Sequence, residues 1–174
     1  MLPISTDRLT LRAFTPADAP AFAAYRSDPG IARYQSWSTP FTLQQAERFI
    51  AEQAHLTGPT PGAWLQIAID RDGTLVGDVA VHLSDDGRTA EVGCTLAADQ
   101  HGHGFAREAV TALVADLFAR GVGRIEANID PRNEPSIRLF EHVGFVHHST
   151  VKASAFIKGE WCDDAHYALT RPTT

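Results

Sequence analysis

Histidine and glycine alternate over His101, Gly102, His103 and Gly104, immediately before the segment with the strongest helical pattern in the chain. A glycine-rich loop that runs into a helix leaves several backbone N–H groups without partners, and the helix dipole adds positive potential at the same place. Glycine allows a ligand to approach the backbone closely and tolerates left-handed dihedral angles. The spacing therefore indicates an anion cradle that fits a pyrophosphate without a lysine.

The segments around this loop narrow the class of anion. No Gly-Lys-Ser/Thr follows Gly104, so the loop is not the P-loop of a nucleoside triphosphatase. The strand before it belongs to an antiparallel meander and not to an opening strand-helix-strand unit, which argues against a dinucleotide fold. A different diphosphate ligand is indicated, and CoA is the natural candidate. The alternative is that Gly102 and Gly104 only shape a turn.

The elements that position the loop follow from hydrophobic periodicity. Apolar residues at helical spacing predict a helix over residues 106–120, with Gly121 beyond its end. Alternating apolar residues predict three strands before it, which two Asp-Gly turns join into an antiparallel meander. These strands are predicted at residues 64–69, 75–83 and 90–96.

The rest of the chain supplies further strands and helices around this centre. A strand is expected near residues 9–13, a helix from Thr15 and Pro16, and a second helix from a capping box formed by Thr42 and Gln45. The remaining elements are a strand at 125–129, a helix at 135–142 and a hairpin of strands 151–157 and 161–169. A helix between strands implies at least one parallel pair with a right-handed crossover, so the sequence predicts an α/β fold with a mixed, mostly antiparallel sheet flanked by helices.

Composition limits the partners. The 174 residues suit one domain over 1–174, and the formal net charge of −6 argues against nucleic acid or an anionic membrane and suits a cationic substrate. No targeting segment or run of about 20 apolar residues is visible, so a cytoplasmic location is expected. Cys94 and Cys162 are expected to be reduced, and no metal is expected, because the neighbouring histidine pairs lack carboxylate or thiolate companions.

The loop resembles a known family. Residues 102–109 look like the acyl-CoA loop of the GNAT superfamily, written Arg/Gln-x-x-Gly-x-Gly/Ala, with His101 as a departure at the first position. Residues 6–12, 90–93, 133–145 and 158–163 resemble the branch that includes the RimJ and RimL ribosomal-protein N-terminal acetyltransferases. The resemblance covers nearly the whole chain in the same order. It places acyl-CoA on the residues His101, Gly102, His103, Gly104, Phe105, Ala106 and Arg107.

The resemblance implies an N-acetyltransferase that uses acetyl-CoA and a primary amine in a ternary complex, with direct attack of the amine on the thioester. The pantetheine arm would lie between the strand that contains Glu91 and the strand that ends near Asp130. The acceptor stays open between a protein N-terminus and a small-molecule amine such as an aminoglycoside or a polyamine. A succinyl donor and a catalytically silent acyl-CoA sensor are the alternatives, and a homodimer is expected at family level.

The resemblance also assigns roles at the reacting end. Glu91 matches the position of a general base that acts through water, although it could also be a surface glutamate at the sheet edge. Asn133 and Ser136 match positions that contact CoA near its sulfur, and capping of the short helix would by itself explain Asn133. Phe140 occupies the position where many relatives carry a tyrosine that protonates the departing thiolate. Ser136 is then the nearest matching hydroxyl and the candidate catalytic group.

Three residues are candidates for the acceptor side. His82 could face the acceptor as an alternative base, or it could be an ordinary half-buried histidine. Tyr34 and Trp37 could wall the acceptor site, or they could anchor the loop between the first two helices. Cys94 lacks a paired base and is interpreted as a small core residue.

Overall fold

The computed structural model describes residues 2–172. Eight strands form one sheet within these residues. The strands are β1 (Ile4–Ser5), β2 (Thr10–Arg12), β3 (Trp64–Arg71), β4 (Thr74–Leu83), β5 (Thr89–Leu96), β6 (Arg124–Ile129), β7 (Val146–Ile157) and β8 (Glu160–Thr170). The helices are α1 (Ala19–Arg26), α2 (Pro29–Ala32), α3 (Leu43–Gln53), α4 (Phe105–Ala119) and α5 (Glu134–Val143). Two short 3-10 helices span Pro16–Asp18 and Ala98–Gln100.

The sheet is mixed, as the sequence predicts. Its strand order is β1-β2-β3-β4-β5-β6-β8-β7, and among these neighbours β5 and β6 form the parallel pair. Helix α4 makes the crossover between them, so the predicted strand-helix-strand unit is confirmed.

An opening forms where β5 and β6 separate. The two strands pair from Thr89 opposite Arg124 to Glu91 opposite Glu126. Beyond that point β5 continues to Leu96 beside β4, and β6 continues to Ile129 beside β8. The facing edges of β5 and β6 are therefore unpaired in the stretch that precedes the glycine loop.

The two faces of the sheet bury separate apolar clusters. One cluster joins the apolar residues of β3 to β6 and β8 to α4 and α5, and Leu113, Leu117 and Phe140 are among its fully buried side chains. The other places α1 and α3 over the β3 and β4 end of the opposite face, around Phe22 and Ile50. None of the helices in the described part of the chain is long and apolar enough to cross a bilayer.

The first helical region differs from its predicted form. Residues Pro16–Asp18 form a 3-10 turn, and α1 begins only at Ala19, because Asp18 turns back to accept the Thr15 backbone N–H at 2.7 Å. The residues Asp28, Pro29 and Gly30 predict only that the first helix stops before Asp28. The carboxylate of Asp28 instead accepts the N–H of Gly30 at 2.7 Å and caps the one-turn helix α2.

The other predicted elements are present with shifted ends. The capping box at the start of α3 is confirmed, since Thr42 and Gln45 exchange hydrogen bonds of 2.8 and 3.2 Å. Strand β7 begins at Val146, five residues before the predicted hairpin. Its pairing with β8 is interrupted by two register shifts and continues after each of them. Such irregular pairing breaks the two-residue alternation on which the prediction relies.

Candidate acyl-CoA and acceptor site

The glycine loop enters α4 in the conformation that the sequence indicates. Gly102 and Gly104 have φ of +78° and +79°, and Gly104 is the N-cap of α4. Because Gly104 has no side chain, it leaves the first N–H groups of the helix for a ligand. Arg8 braces the loop from outside by donating to the carbonyl of His103 at 2.9 Å and to Glu108 at 2.7 Å.

A cavity of about 710 Å³ lies against this loop. The start of α5 forms its opposite wall, and four arginines give it positive charge. These arginines are Arg33, Arg107, Arg132 and Arg138. The volume lies within the range of pockets that hold cofactors, and the left-handed glycines supply the close backbone approach that a pyrophosphate needs. The residues therefore fit CoA.

Six of the seven predicted loop residues line this cavity: His101, Gly102, Gly104, Phe105, Ala106 and Arg107. The side chain of His101 also contacts the Leu96 carbonyl at 3.1 Å, which ties the loop to the end of β5. His103 is not among the lining residues, and its ring stacks on Phe105 with 5.5 Å between centroids.

A second, smaller cavity of about 130 Å³ lies at the opening between β5 and β6. Six residues line both cavities, so the two spaces adjoin. These residues are Tyr34, Gln35, Cys94, Thr95, Asn133 and Ser136. A long ligand in the large cavity can therefore present its end to a second ligand in the small one.

The start of α5 supplies polar groups at this junction. The Asn133 side chain accepts the Ser136 N–H at 3.4 Å, so Asn133 caps α5 and lines both cavities at once. Phe140 lines the small cavity and packs edge-on against Phe145 with 5.1 Å between ring centroids. Ser136 consequently provides the α5 hydroxyl at the junction.

Glu91 and His82 lie together beside the small cavity, since Glu91 forms a hydrogen bond with Asn128, which lines that cavity. They are directly opposite each other on β5 and β4, and neither is among the residues that line the large or the small cavity. The ring of His82 packs on Trp64 with 5.2 Å between centroids. Burial raises the pKa of Glu91, and a hydrogen bond with Asn128 opposes this shift.

Tyr34 and Trp37 lie on the loop between α2 and α3 and wall the small cavity. Trp37 also anchors that loop, because its indole N–H donates to the Arg26 carbonyl at 2.9 Å and its ring lies 4.2 Å from the Arg26 guanidinium carbon. These contacts show that Trp37 anchors the loop, and its role as a wall of the acceptor site stays a prediction.

Sequence reasoning missed Asp78, a buried carboxylate of β4 that lines the small cavity. The Tyr25 hydroxyl donates to one of its oxygens, and the Gln66 amide donates to the other at 2.8 Å. An available signal was that Asp78 is the one formally charged residue in the otherwise apolar run 75–83.

Cys94 also lines both cavities, and burial raises the pKa of its thiol far above the usual range. A thiol in that state is a poor nucleophile, and Cys94 packs against the larger apolar cluster as a partly buried residue. Within residues 2–172 no three His, Cys, Asp or Glu side chains form a group that could hold a metal ion.

The fold and the two adjoining cavities define an acyl-CoA-dependent acyltransferase. Residues 8–146 match the family model of the acetyltransferase (GNAT) domain, and the chain belongs to this family. It is 32% identical over 170 residues to the uncharacterized N-acetyltransferase p20 of Bacillus licheniformis, across 95% of this chain and 94% of that protein. The protein is therefore an acetyltransferase that uses acetyl-CoA as its co-substrate.

Solved structures agree with this assignment. A GNAT-family acetyltransferase from Bacillus anthracis superimposes with a TM-score of 0.86 at 27% identity, over 97% of this chain and 98% of that one. RimJ of Mycobacterium smegmatis, solved in complex with CoA-disulfide, has a TM-score of 0.79 at 24% identity over 93% of this chain and 81% of its own. The predicted likeness to the RimJ and RimL branch is thus confirmed at the level of the fold.

Proposed function

We propose that this protein transfers the acetyl group of acetyl-CoA to a primary amine by direct attack within a ternary complex. The observation that carries the proposal is the set of six residues that line both cavities. Their position allows the thioester to reach the small cavity from one side while the amine enters from the other. Holding both reactants in contact removes the need for a covalent enzyme intermediate.

The charge around the opening favours a cationic acceptor. Glu91, Glu126 and Asp164 lie near one another, and the charges of Glu126 and Asp164 add to the raised pKa of Glu91. Because the small cavity is narrow and walled by Tyr34 and Trp37, it suits an amine at the end of a slender chain. A protein N-terminus and a small-molecule amine such as a polyamine or an aminoglycoside both satisfy these requirements.

Each group of residues at the two cavities then has its own proposed role. The loop that contains Gly102 and Gly104 would hold the pyrophosphate through backbone N–H groups, and the nearby arginines would add attraction. Asn133 and Ser136 would orient the donor near its sulfur. Acetyl-CoA would supply the activated acyl group. The role of Glu91 as the general base stays a prediction from the sequence.

The decisive experiment is a thiol-release assay with acetyl-CoA against a panel of polyamines, aminoglycosides and peptides with free N-termini. We expect turnover with at least one class, and mass spectrometry of the product should show one added acetyl group on nitrogen. A parallel series with succinyl-CoA tests the donor. Tight calorimetric binding of CoA without turnover on any amine would contradict the proposal and favour an acyl-CoA sensor.

A further inference from the structure

The shared wall of the two cavities shows where the reacting atoms meet along the sheet. Cys94 and Thr95 of β5 line both cavities, so the thioester carbon is expected at their level. Asp78 lies directly opposite Thr95 on the neighbouring strand. Residues paired in this way have Cβ atoms about 5 Å apart and point to the same face of the sheet.

Glu91 lies further from this level. It is four residues before Thr95 on the same strand, which corresponds to about 13 Å at the usual rise per residue. It also lies in the stretch where β5 and β6 are still paired, before the opening begins. Asp78 is thus the carboxylate of the central strands that lies beside the expected reaction centre.

The contacts of Asp78 fix the orientation of its carboxylate but pair its charge incompletely. Its two oxygens accept from Tyr25 and Gln66, which fixes the orientation of the carboxylate. The nearest cation, Arg26, approaches only to 4.0 Å, and the Nε of this buried arginine has no hydrogen-bond partner among the described residues. Such an incompletely paired buried charge is an expensive arrangement for a purely structural purpose.

Aromatic rings surround Arg26 in addition to its 4.0 Å ion pair with Asp78. Its guanidinium carbon lies 4.3 Å from the ring centroid of Phe22 and 4.2 Å from that of Trp37. Two further rings, those of Phe41 and Phe49, lie at 5.3 and 5.2 Å. Cation–π contacts of this kind hold the positive charge in place beside Asp78, at the 4.0 Å of their ion pair. Because Trp37 walls the small cavity, the same cluster also joins Asp78 to the acceptor side.

We propose that Asp78 is a catalytic residue that contacts the attacking amine in the small cavity and takes its proton. The inference rests on the proposed function. The lone pair of the neutral amine forms the N–C bond to the thioester carbon, and one N–H proton passes to an oxygen of Asp78. The C–S bond then breaks with its electron pair on sulfur. The proton passes from Asp78 to that sulfur, which leaves as the thiol and restores the carboxylate.

The groups that face Asp78 tune it for this role. Burial raises the pKa of Asp78, whereas the charge of Arg26 and the hydrogen bonds from Tyr25 and Gln66 hold it down. Burial and the charge of Asp78 raise the pKa of Tyr25 well above its usual range, so this hydroxyl stays a neutral donor. Cys94, on β5, likewise stays a neutral thiol. Asp78 is therefore the carboxylate of this cluster whose affinity for a proton burial raises, while its neighbours Tyr25 and Cys94 keep their own protons.

The first test compares Asp78→Asn with the wild-type enzyme on the best amine from the acceptor panel. We expect kcat to fall at least about 100-fold, the usual contribution of a general base, with the calorimetric Kd for CoA unchanged. The rate that remains should depend on pH only through the fraction of the amine that is unprotonated. Asp86→Asn makes the same chemical change at an exposed turn residue that lines neither cavity, and this control should keep kcat within a few-fold. Retention of kcat in a folded Asp78→Asn variant would overturn the inference.

The second test removes one hydrogen bond and keeps the carboxylate. Tyr25→Phe deletes a donor that lowers the pKa of Asp78, so the rising limb of kcat against pH should move to higher pH while the plateau is retained. If Asp78→Asn fails to fold, the dependence of kcat on pH in Tyr25→Phe becomes the deciding test. A rising limb at the same pH as in the wild type would overturn the inference. Absence of wild-type turnover on every amine would instead contradict the proposed function.

Discussion

The anion cradle can be tested by placing a β-branched residue in its left-handed position. In Gly104→Val the added Cβ would meet nothing closer than the Arg8 guanidinium at 3.5 Å, an ordinary contact. The penalty is therefore conformational, since φ at Gly104 is +79° and side chains rarely adopt that region. Left-handed backbone costs about 1–2 kcal/mol for an ordinary residue, and a β-branched residue should reach the upper end.

We expect the variant loop to leave this conformation in the free enzyme, so that CoA has to restore it on binding. A cost of about 2 kcal/mol corresponds to a Kd raised by about 30-fold. Gly121→Val is the matched control, because Gly121 has φ of +96°, has no atom within 4 Å of the added Cβ and follows the opposite end of α4. It should lower stability without changing CoA affinity.

Calorimetric titration with CoA and thermal unfolding measure the two effects separately. At this chain length each kcal/mol of lost stability should lower Tm by about 2–4 °C. If Gly104→Val binds CoA within two-fold of wild type while its Tm falls as in Gly121→Val, then the loop is only a turn and the cradle does not exist.

Three further predictions concern single side chains. Glu91→Gln should raise KM for a cationic amine and leave kcat within a few-fold. If Glu91 is the general base, kcat should instead fall about 100-fold or more, and steady-state kinetics separates the two outcomes. Ser136→Ala should cost about 1 kcal/mol of transition-state stabilisation, and a thousand-fold loss of kcat with CoA affinity retained would show an essential acid. Burial tends to raise the pKa of Asp18, but hydrogen bonds from Arg12 and Thr15 outweigh it and lower the pKa. The stability that Asp18 contributes is thus present above its ordinary pKa near 4 and is lost as pH falls through the lower folded value. Urea unfolding of Asp18→Asn should show a loss of about 2 kcal/mol at pH 7 and a weaker dependence on pH below 4; an unchanged pH dependence would contradict this.

The sequence could predict those elements whose pattern is local. The meander β3 to β5 could be recognised from its short apolar runs and the Asp-Gly turns that join them, and α4 repeats its apolar residues every three or four positions. The glycine loop was equally visible, because its function depends on backbone dihedrals that neighbouring glycines reveal. The separation of β5 from β6 was expected only through the family resemblance.

The sequence could not separate Glu91, the predicted base, from Asp78, the base that we propose. Asp78 and Glu91 both lie in predicted strands and point to the same face, so alternation treats them alike. Their difference arises from the register between β4 and β5 and from the residue at which β5 and β6 stop pairing. Both depend on tertiary packing. His103 illustrates the same limit, since a stacking contact with Phe105 directs its ring.

Phe140 is compatible with the proposed reaction, because the proton that leaves the amine is the one that later reaches the sulfur. Phe140 is only 2% exposed and packs on Phe145, so the core gains an apolar ring where a tyrosine would place a hydroxyl in the small cavity. A thiol with a pKa of about 8.5 leaves readily as its anion, so sulfur does not require an acid before the C–S bond breaks. If Asp78 takes the amine proton and returns it to sulfur, donor and acceptor are both neutral at the end of the cycle. A second titratable hydroxyl at position 140 is then unnecessary, and selection for packing can determine that residue.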